Sequence, residues 1–250
     1  MSGTGDYGPS TYGDRIADVY DEWFALPADA EQAVEFLASV AGPGPALELG
    51  IGTGRIALPL AERGVAVQGV DASEAMVARL RQKAGGDRIP VAMGDFANVG
   101  QLVEGTYTLV YVVFNTFFAL LTQEDQIRCF QGVSERLAIG GAFVMRAFVP
   151  DITRFDRGQR FETLDVQSDL VHLDASRYDP VNQRVTAQHI VIEEGRTRLF
   201  PVSIRFAFPS ELDLMARLAG LRLRERWGEW DRRPFDSSAQ QHISVWEKPA

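Results

Sequence analysis

With a single cysteine, Cys129, the sequence has no internal disulfide and no multi-cysteine zinc site open to it, and a reduced compartment suits it. Set in a helical pattern, Cys129 reads as a small buried hydrophobe. Histidine is also scarce: His172, His189 and His242 stand apart with no pair at ligand spacing, so no metal is expected. No run of Lys or Arg relieves a net charge of −9, which argues against nucleic acid or an anionic membrane as partner. No apolar run approaches the length of a bilayer span. The opening "MSGTGDYGPS" has neither apolar core nor basic flank, so no signal peptide or anchor is expected and the chain reads as cytoplasmic. Internal repeats and low-complexity tracts are absent as well.

What is present is alternation. Apolar runs at Ala46–Leu49, Ala66–Val70, Pro90–Met93, Leu109–Phe114 and Ala142–Ala147 read as strands, separated by helical patterns near Arg55–Glu62, Ser73–Lys83 and Gln123–Leu137. Continuously apolar strands flanked by helices predict a mostly parallel sheet covered on both faces. Thr122 with Asp125 makes a capping signal for the last of these helices. Ahead of them, Ile16, Val19, Tyr20 and Trp23 share one face of an amphipathic helix that Asp14 could cap, and a second helix spans Asp29–Val40.

Between Pro150 and Phe208 the texture changes. "RVTAQHIVI" and "FPVSIRFAF" alternate at period two around "EEGR", so residues 150–208 are expected to form an antiparallel insertion, a lid. "PSELDLMARLAG" then reads as a helix capped by Ser210 with Asp213, and "LRLRERWGEW" and "HISVWEKP" as a last strand pair. The expected core is therefore residues 1–149 and 209–250, a seven-stranded α/β domain with N-terminal helices at 14–40 covering its site.

The chemistry concentrates at strand ends. "LELGIGTGR" places Gly50, Gly52 and Gly54 after the first strand, but it lacks the Lys of a phosphate-binding G-x-x-x-x-G-K-[ST] loop and the spacing of G-x-G-x-x-G. The carboxylate of Glu48, ahead of the loop, would oppose a phosphate and suit a ligand with positive charge. Asp71 ends the second strand, where a carboxylate can accept from both ribose hydroxyls. Asp95 and Phe96 follow the third, able to meet an adenine amino group and ring.

These strand ends, with "GVDAS", "GDF", "LVYVVFN" and "GGAFVMRAF" in order from Tyr12 to Trp246, resemble the class I S-adenosylmethionine-dependent methyltransferases. The resemblance implies a Rossmann-like fold and S-adenosyl-L-methionine as cofactor, with S-adenosyl-L-homocysteine as product. It implies that Gly50 and Gly52 take the methionyl part, Asp71 the ribose, and Asp95 with Phe96 the adenine. Ala72, Met76 and Phe114 belong to the same expected site, and Arg55 could pair with the cofactor carboxylate or with a nearby acid. Tyr12, Tyr20 and Trp23 resemble the aromatics with which small-molecule members cover the cofactor, although a shared helical face also suits plain core packing. Thr108 is a departure, standing where the family often has an Asp.

The layout is similar to the small-molecule N-methyltransferases of antibiotic and amino-sugar pathways, including those of lincosamides. That resemblance implies an amine acceptor, methylated largely by proximity and orientation. Phe114, Phe117 and Phe118 would line the acceptor site, and His189, on a strand face with Val185, Ala187 and Val191, could point toward it from beneath the lid. Phe117 and His189 are thus the expected catalytic residues. O-methylation of a hydroxyl or carboxylate, which would want a general base, stays open, as do a non-catalytic cofactor binder and a nicotinamide oxidoreductase. Exposed lid strands could pair between subunits in a homo-oligomer.

Overall fold

The computed structural model describes residues 7–24 and 28–250; the first six residues of the opening stretch and the join at 25–27 lie outside them. Helices α1 (Thr11–Ile16), α2 (Tyr20–Trp23) and α3 (Ala28–Ala41) come first. Then follow β1 (Ala46–Leu49), α4 (Ala57–Glu62), β2 (Val67–Asp71), α5 (Glu74–Gln82) and β3 (Val91–Met93). Next are α6 (Val99–Leu102), β4 (Tyr107–Val112), α7 (Gln123–Arg136) and β5 (Leu137–Phe148). Strands β6 (Gln159–Val166), β7 (Leu170–Asp179), β8 (Arg184–Glu193) and β9 (Arg196–Arg205) precede α8 (Pro209–Leu218), β10 (Arg222–Trp227) and β11 (Gln241–Glu247).

Among the described residues, seven strands form one sheet in the order β10-β11-β5-β4-β1-β2-β3, and β6 to β9 form a second sheet. Every neighbouring pair from β3 across to β5 is parallel, and β11 runs antiparallel to β5 and β10. Strand β4 explains why these runs are apolar throughout. Val110 and Val112 pack with α7 and α8 on one face, while Leu109 and Tyr111 pack with α3 and α4 on the other. A strand buried on both sides has no position left for water, so its sequence cannot alternate.

The order of strands puts the carboxyl ends of β1 and β4 side by side, each followed by a turn in opposite directions along the sheet. Such a switch point leaves a crevice at the sheet's edge where ligands bind in open α/β folds. Thr122 caps α7 by accepting the Asp125 amide N–H at 3.0 Å. Thr108, in place of the family's Asp, donates its hydroxyl to the carbonyl of Ala41 at 2.8 Å and so ties β4 to the end of α3.

Several local expectations differ from what is seen. Asp14 is not an N-cap: it lies inside α1 and accepts the Ser73 hydroxyl at 2.6 Å. The N-terminal helix is two short pieces, because the chain breaks between Ile16 and Tyr20 to follow α5 and the second sheet. Ser210 does not cap α8, which starts at Pro209, where the missing N–H costs nothing; Asp213 instead binds Arg226 and the Trp246 indole N–H. The fourth strand stops at Val112, since Phe114 and Asn115 take φ of +54° and +68°.

Candidate active site

The site is built from the loop after β1. Gly50 has φ of +70°, and a Cβ there would lie 2.4 Å from Thr116 Cγ2, so only glycine lets β1 and the segment after β4 come this close. Gly52, at φ of +55°, faces the other way: a Cβ there would meet nothing nearer than 4.0 Å, leaving its backbone open to a ligand. Its N–H donates to Asp71 Oδ2 at 2.7 Å, and the Ser73 N–H donates to Oδ1 at 2.8 Å. Asp71 therefore fixes the loop it stands beside. Burial pushes its carboxyl above the usual range despite those two amides. A carboxylate has about four lone-pair sites, so acceptor capacity remains for a ligand hydroxyl.

Asp95 ends the third strand's turn and accepts the Ala97 N–H at 2.9 Å, which sets Phe96 against the core. From the N-terminal side, α1 and α2 are pinned over these strand ends by acids. Asp14 holds Ser73, Asp18 pairs with Arg79, and Asp21 accepts from Thr53 at 2.6 Å and Lys83 at 2.9 Å. Burial works against the Asp21 charge, but the hydrogen bonds from Lys83 and Thr53 prevail and hold its carboxyl low. Tyr7 accepts the Ser203 N–H from β9 at 3.1 Å, tying the same segment to the second sheet.

These elements enclose a cavity of about 280 Å³. Tyr12, Tyr20, Gly50, Gly52, Asp71, Ala72, Met76, Asp95 and Phe96 line it, together with Tyr7, Ser73 and Thr116, which the sequence did not mark. Burial pushes the Tyr12 and Tyr20 phenols up, so both are neutral donors at any ordinary pH.

Four residues expected at the cofactor sit behind this wall instead. Trp23 turns to the second sheet, edge-on to Phe200 at 4.8 Å and against His172 at 4.6 Å between ring centres. Arg55 lies 3.7 Å over the Phe114 ring and donates to the Phe24 carbonyl, so cation and ring satisfy each other beneath α2. Glu48 is only 4% exposed, accepts the Tyr111 hydroxyl at 2.9 Å, and burial pushes its carboxyl up to about 8.

A second cavity, of about 1200 Å³, lies between the two sheets. Its walls include Asn115, Arg146 and Phe148 from the core, and Arg160, Glu162, Asp174, Ser176, Ala187 and His189 from the second sheet. His189 is where its strand face predicts, beside Val185 and Ala187. Its pKa is lowered by burial, against the pull of Asp174. Phe117 is not in either wall: at 1% exposure it packs edge-on to Phe130 at 5.4 Å, and Phe118 packs on Phe148. The left-handed turn at Phe114 and Asn115 precedes Phe117 and Phe118, whose rings face the core and line neither cavity wall. The sequence did hold one unread signal for this cavity: "VHLDAS" puts His172, Asp174 and Ser176 on one face at period two.

Comparison with known proteins agrees with this geometry. Residues 46–141 match the methyltransferase domain family. The structure of the CcbJ methyltransferase from Streptomyces caelestis is 45% identical, with a TM-score of 0.91 over 98% of this chain and 100% of that one. The cypemycin N-terminal methyltransferase of a Streptomyces species is 27% identical over 96% of this chain and 98% of its own length. CalS10, an amino pentose methyltransferase from Micromonospora echinaspora, shares the fold at a TM-score of 0.67 with 17% identity, over 99% of this chain and 100% of that one. The chain belongs to the class I S-adenosylmethionine-dependent methyltransferases, and it is an enzyme.

Proposed function

We propose that the protein transfers the methyl group of S-adenosylmethionine to an amine nitrogen of a small acceptor, in the cytoplasm, during synthesis of an antibiotic or another secondary metabolite. The observation that carries this reading is the meeting of the two cavities at consecutive residues: Thr116 lines the smaller one and Asn115 the larger. A donor in the first and an acceptor in the second would be separated by one turn of chain, held where it is by the Asn115 side chain accepting the Phe148 N–H at 2.8 Å.

The residues of the smaller cavity fit the donor. Gly52 leaves open backbone, Asp71 offers a buried carboxylate, and Tyr12, Tyr20 and Phe96 offer aromatic surface to an adenosine and a sulfonium. When bound, S-adenosylmethionine supplies an electrophilic methyl group and leaves as S-adenosylhomocysteine. In this assignment Gly50 and Gly52 hold the methionyl part, Asp71 the ribose, Asp95 and Phe96 the adenine, with Ala72 and Met76 completing the wall. Trp23, Glu48, Arg55 and Phe114 act one layer back by holding the loop and α2.

The 150–208 insertion roofs the larger cavity and would exclude water from the acceptor. Names of relatives favour nitrogen: one is an N-terminal methyltransferase and another methylates an amino pentose. The volume suits an acceptor of more than one ring, being above the common range of about 300–1,000 Å³ for small-molecule sites. A hydroxyl acceptor is the second reading, favoured by the His189 and Asp174 pair on the wall, which is what an oxygen nucleophile would want as base.

Calorimetric titration with S-adenosylmethionine and S-adenosylhomocysteine tests the donor site. Asp71→Ala should weaken both at least tenfold, about 1.4 kcal/mol. Failure of the folded wild type to bind either would sink the assignment. Labelled methyl transfer to matched amine and alcohol panels then decides between nitrogen and oxygen.

A further inference from the structure

On the inward face of the second sheet, four polar side chains line up from the cavity outward. Ser176 donates its hydroxyl to Asp174 Oδ1, Asp174 Oδ2 stands 3.8 Å from His189 Nε2, and His189 Nδ1 is 3.4 Å from His172 Nε2. Asp174 is only 9% exposed, yet both it and His189 open onto the larger cavity, whereas His172 does not. His172 is the less enclosed of the two imidazoles, and the Trp23 ring at 4.6 Å fixes its plane.

The 3.8 Å gap is too long for a hydrogen bond, and it is the width that a third group can fill. A nitrogen about 2.9 Å from each atom completes a triangle with that base, so an ammonium can donate to Asp174 Oδ2 and His189 Nε2 together. Resting on the amine reading above, we infer that the acceptor's ammonium docks against Asp174 and gives its proton to His189, and that His172 carries a proton from His189 toward solvent.

The balance closes without any redox change. One N–H bond of the ammonium breaks, its electron pair stays on the amine nitrogen, and the proton joins His189 Nε2. The Nδ1 proton passes to His172 Nε2 and from there to water. A protonated amine that becomes a methylated ammonium must release one proton per turnover, and this is its exit. Burial lowers the pKa of both imidazoles, so each is neutral and able to accept at physiological pH. The charged groups around the pair are Asp174 on β7, Glu162 and Arg160 opposite it on β6, Arg198 over the Phe200 ring on β9, and Asp165 beside His172.

Ammonium binding can be read apart from turnover. The full chain, labelled with ¹⁵N-histidine and saturated with S-adenosylhomocysteine, is titrated with piperidine, and with tetrahydropyran as its neutral counterpart; its three histidines are assigned by single Gln variants. Piperidine should move the His189 and His172 signals but not His242, tetrahydropyran should move none, and Asp174→Asn should weaken piperidine at least tenfold. Asp174→Asn should also lower the His189 pKa, and His172→Gln should raise it by removing a like charge. Piperidine binding within twofold of wild type in Asp174→Asn, or a response of His189 without His172, overturns the inference. S-adenosylhomocysteine affinity reports folding of each variant; should Asp174→Asn lose it, Ser176→Ala takes its place, with at least a threefold loss expected. Amine methylation whose pH profile is unchanged in His189→Gln and Asp174→Asn refutes the proton path and leaves N-methylation standing. Transfer to hydroxyls alone overturns both.

Discussion

Glu48 gives the sharpest quantitative test of the site's electrostatics. Its carboxyl sits within an apolar strand at 4% exposure, and the hydrogen bond from Tyr111 and the charge of Arg55 only partly offset the burial that pushes its pKa from 4.5 to about 8. A group whose pKa is raised by folding keeps its full stability below the unfolded value and loses it as pH rises through the folded one. Between pH 4.5 and about 8 the folded protein holds a proton that the unfolded chain has released. At about 1.4 kcal/mol per pKa unit, that window is worth on the order of 5 kcal/mol. Glu48→Gln keeps the shape and the acceptor for Tyr111 but removes the titration. Urea unfolding followed by tryptophan fluorescence from pH 5 to about 8.5, a range chosen to span that window, should show wild type losing stability relative to the variant as pH rises. The subtraction cancels every other titrating group. A wild-type-minus-variant difference that stays flat across the range would refute a protonated Glu48.

Gly50→Ala adds left-handed strain of about 1–2 kcal/mol to the 2.4 Å approach to Thr116 Cγ2. Thermal unfolding should show the loss, and adding Thr116→Ser, which deletes that methyl group, should recover the collision but not the strain. Arg205, 5% exposed, donates to Gln126, Gln183 and Glu211 where β9 meets α7 and α8. Arg205→Met should cost about 3–5 kcal/mol by leaving Glu211 without its cation, measured by denaturant titration, and a loss below 1 kcal/mol would mean the network is not cooperative.

The residues that line the smaller cavity stood out in the sequence as interruptions of an apolar pattern. Asp71 ends β2 and Asp95 follows the partly exposed β3, each a charge at the carboxyl end of a strand, where it also accepts backbone N–H groups. The glycine at position 50 has a structural reason: two chain segments approach within contact distance there. Position in the chain was readable, but direction was less so. Phe117 lies one residue beyond a side chain that lines the smaller cavity, yet it points into the core, since two consecutive left-handed residues reset which way the chain faces. No periodicity carries through such a turn. Trp23 departs likewise: it shares the short α2 with Tyr20, yet its ring faces Phe200 and His172 of the second sheet.

The larger cavity was harder to read for the opposite reason. Strands β8 and β9 show period two because parts of their inner face pack against the core. Strand β6, "QRFETLDV", has polar residues on the cavity side, where Arg160 and Glu162 stand, and Phe161 is exposed on the other. A cavity wall inverts the hydrophobic code, since the inside of the molecule is there the wet side. Residues that line the larger cavity are therefore ones that pattern reading assigns to solvent. Arg146 is the counterpart within the core sheet: a charge in the middle of "AFVMRAF" contradicts a strand buried on both faces unless a cavity opens at that point, and one does. The same logic picks out Asp174, a buried acid at alternate spacing from His172 and Ser176. A charge where the fold demands apolar packing is met in this protein either by an internal partner, as at Glu48 and Arg205, or by a cavity, as at Arg146 and Asp174.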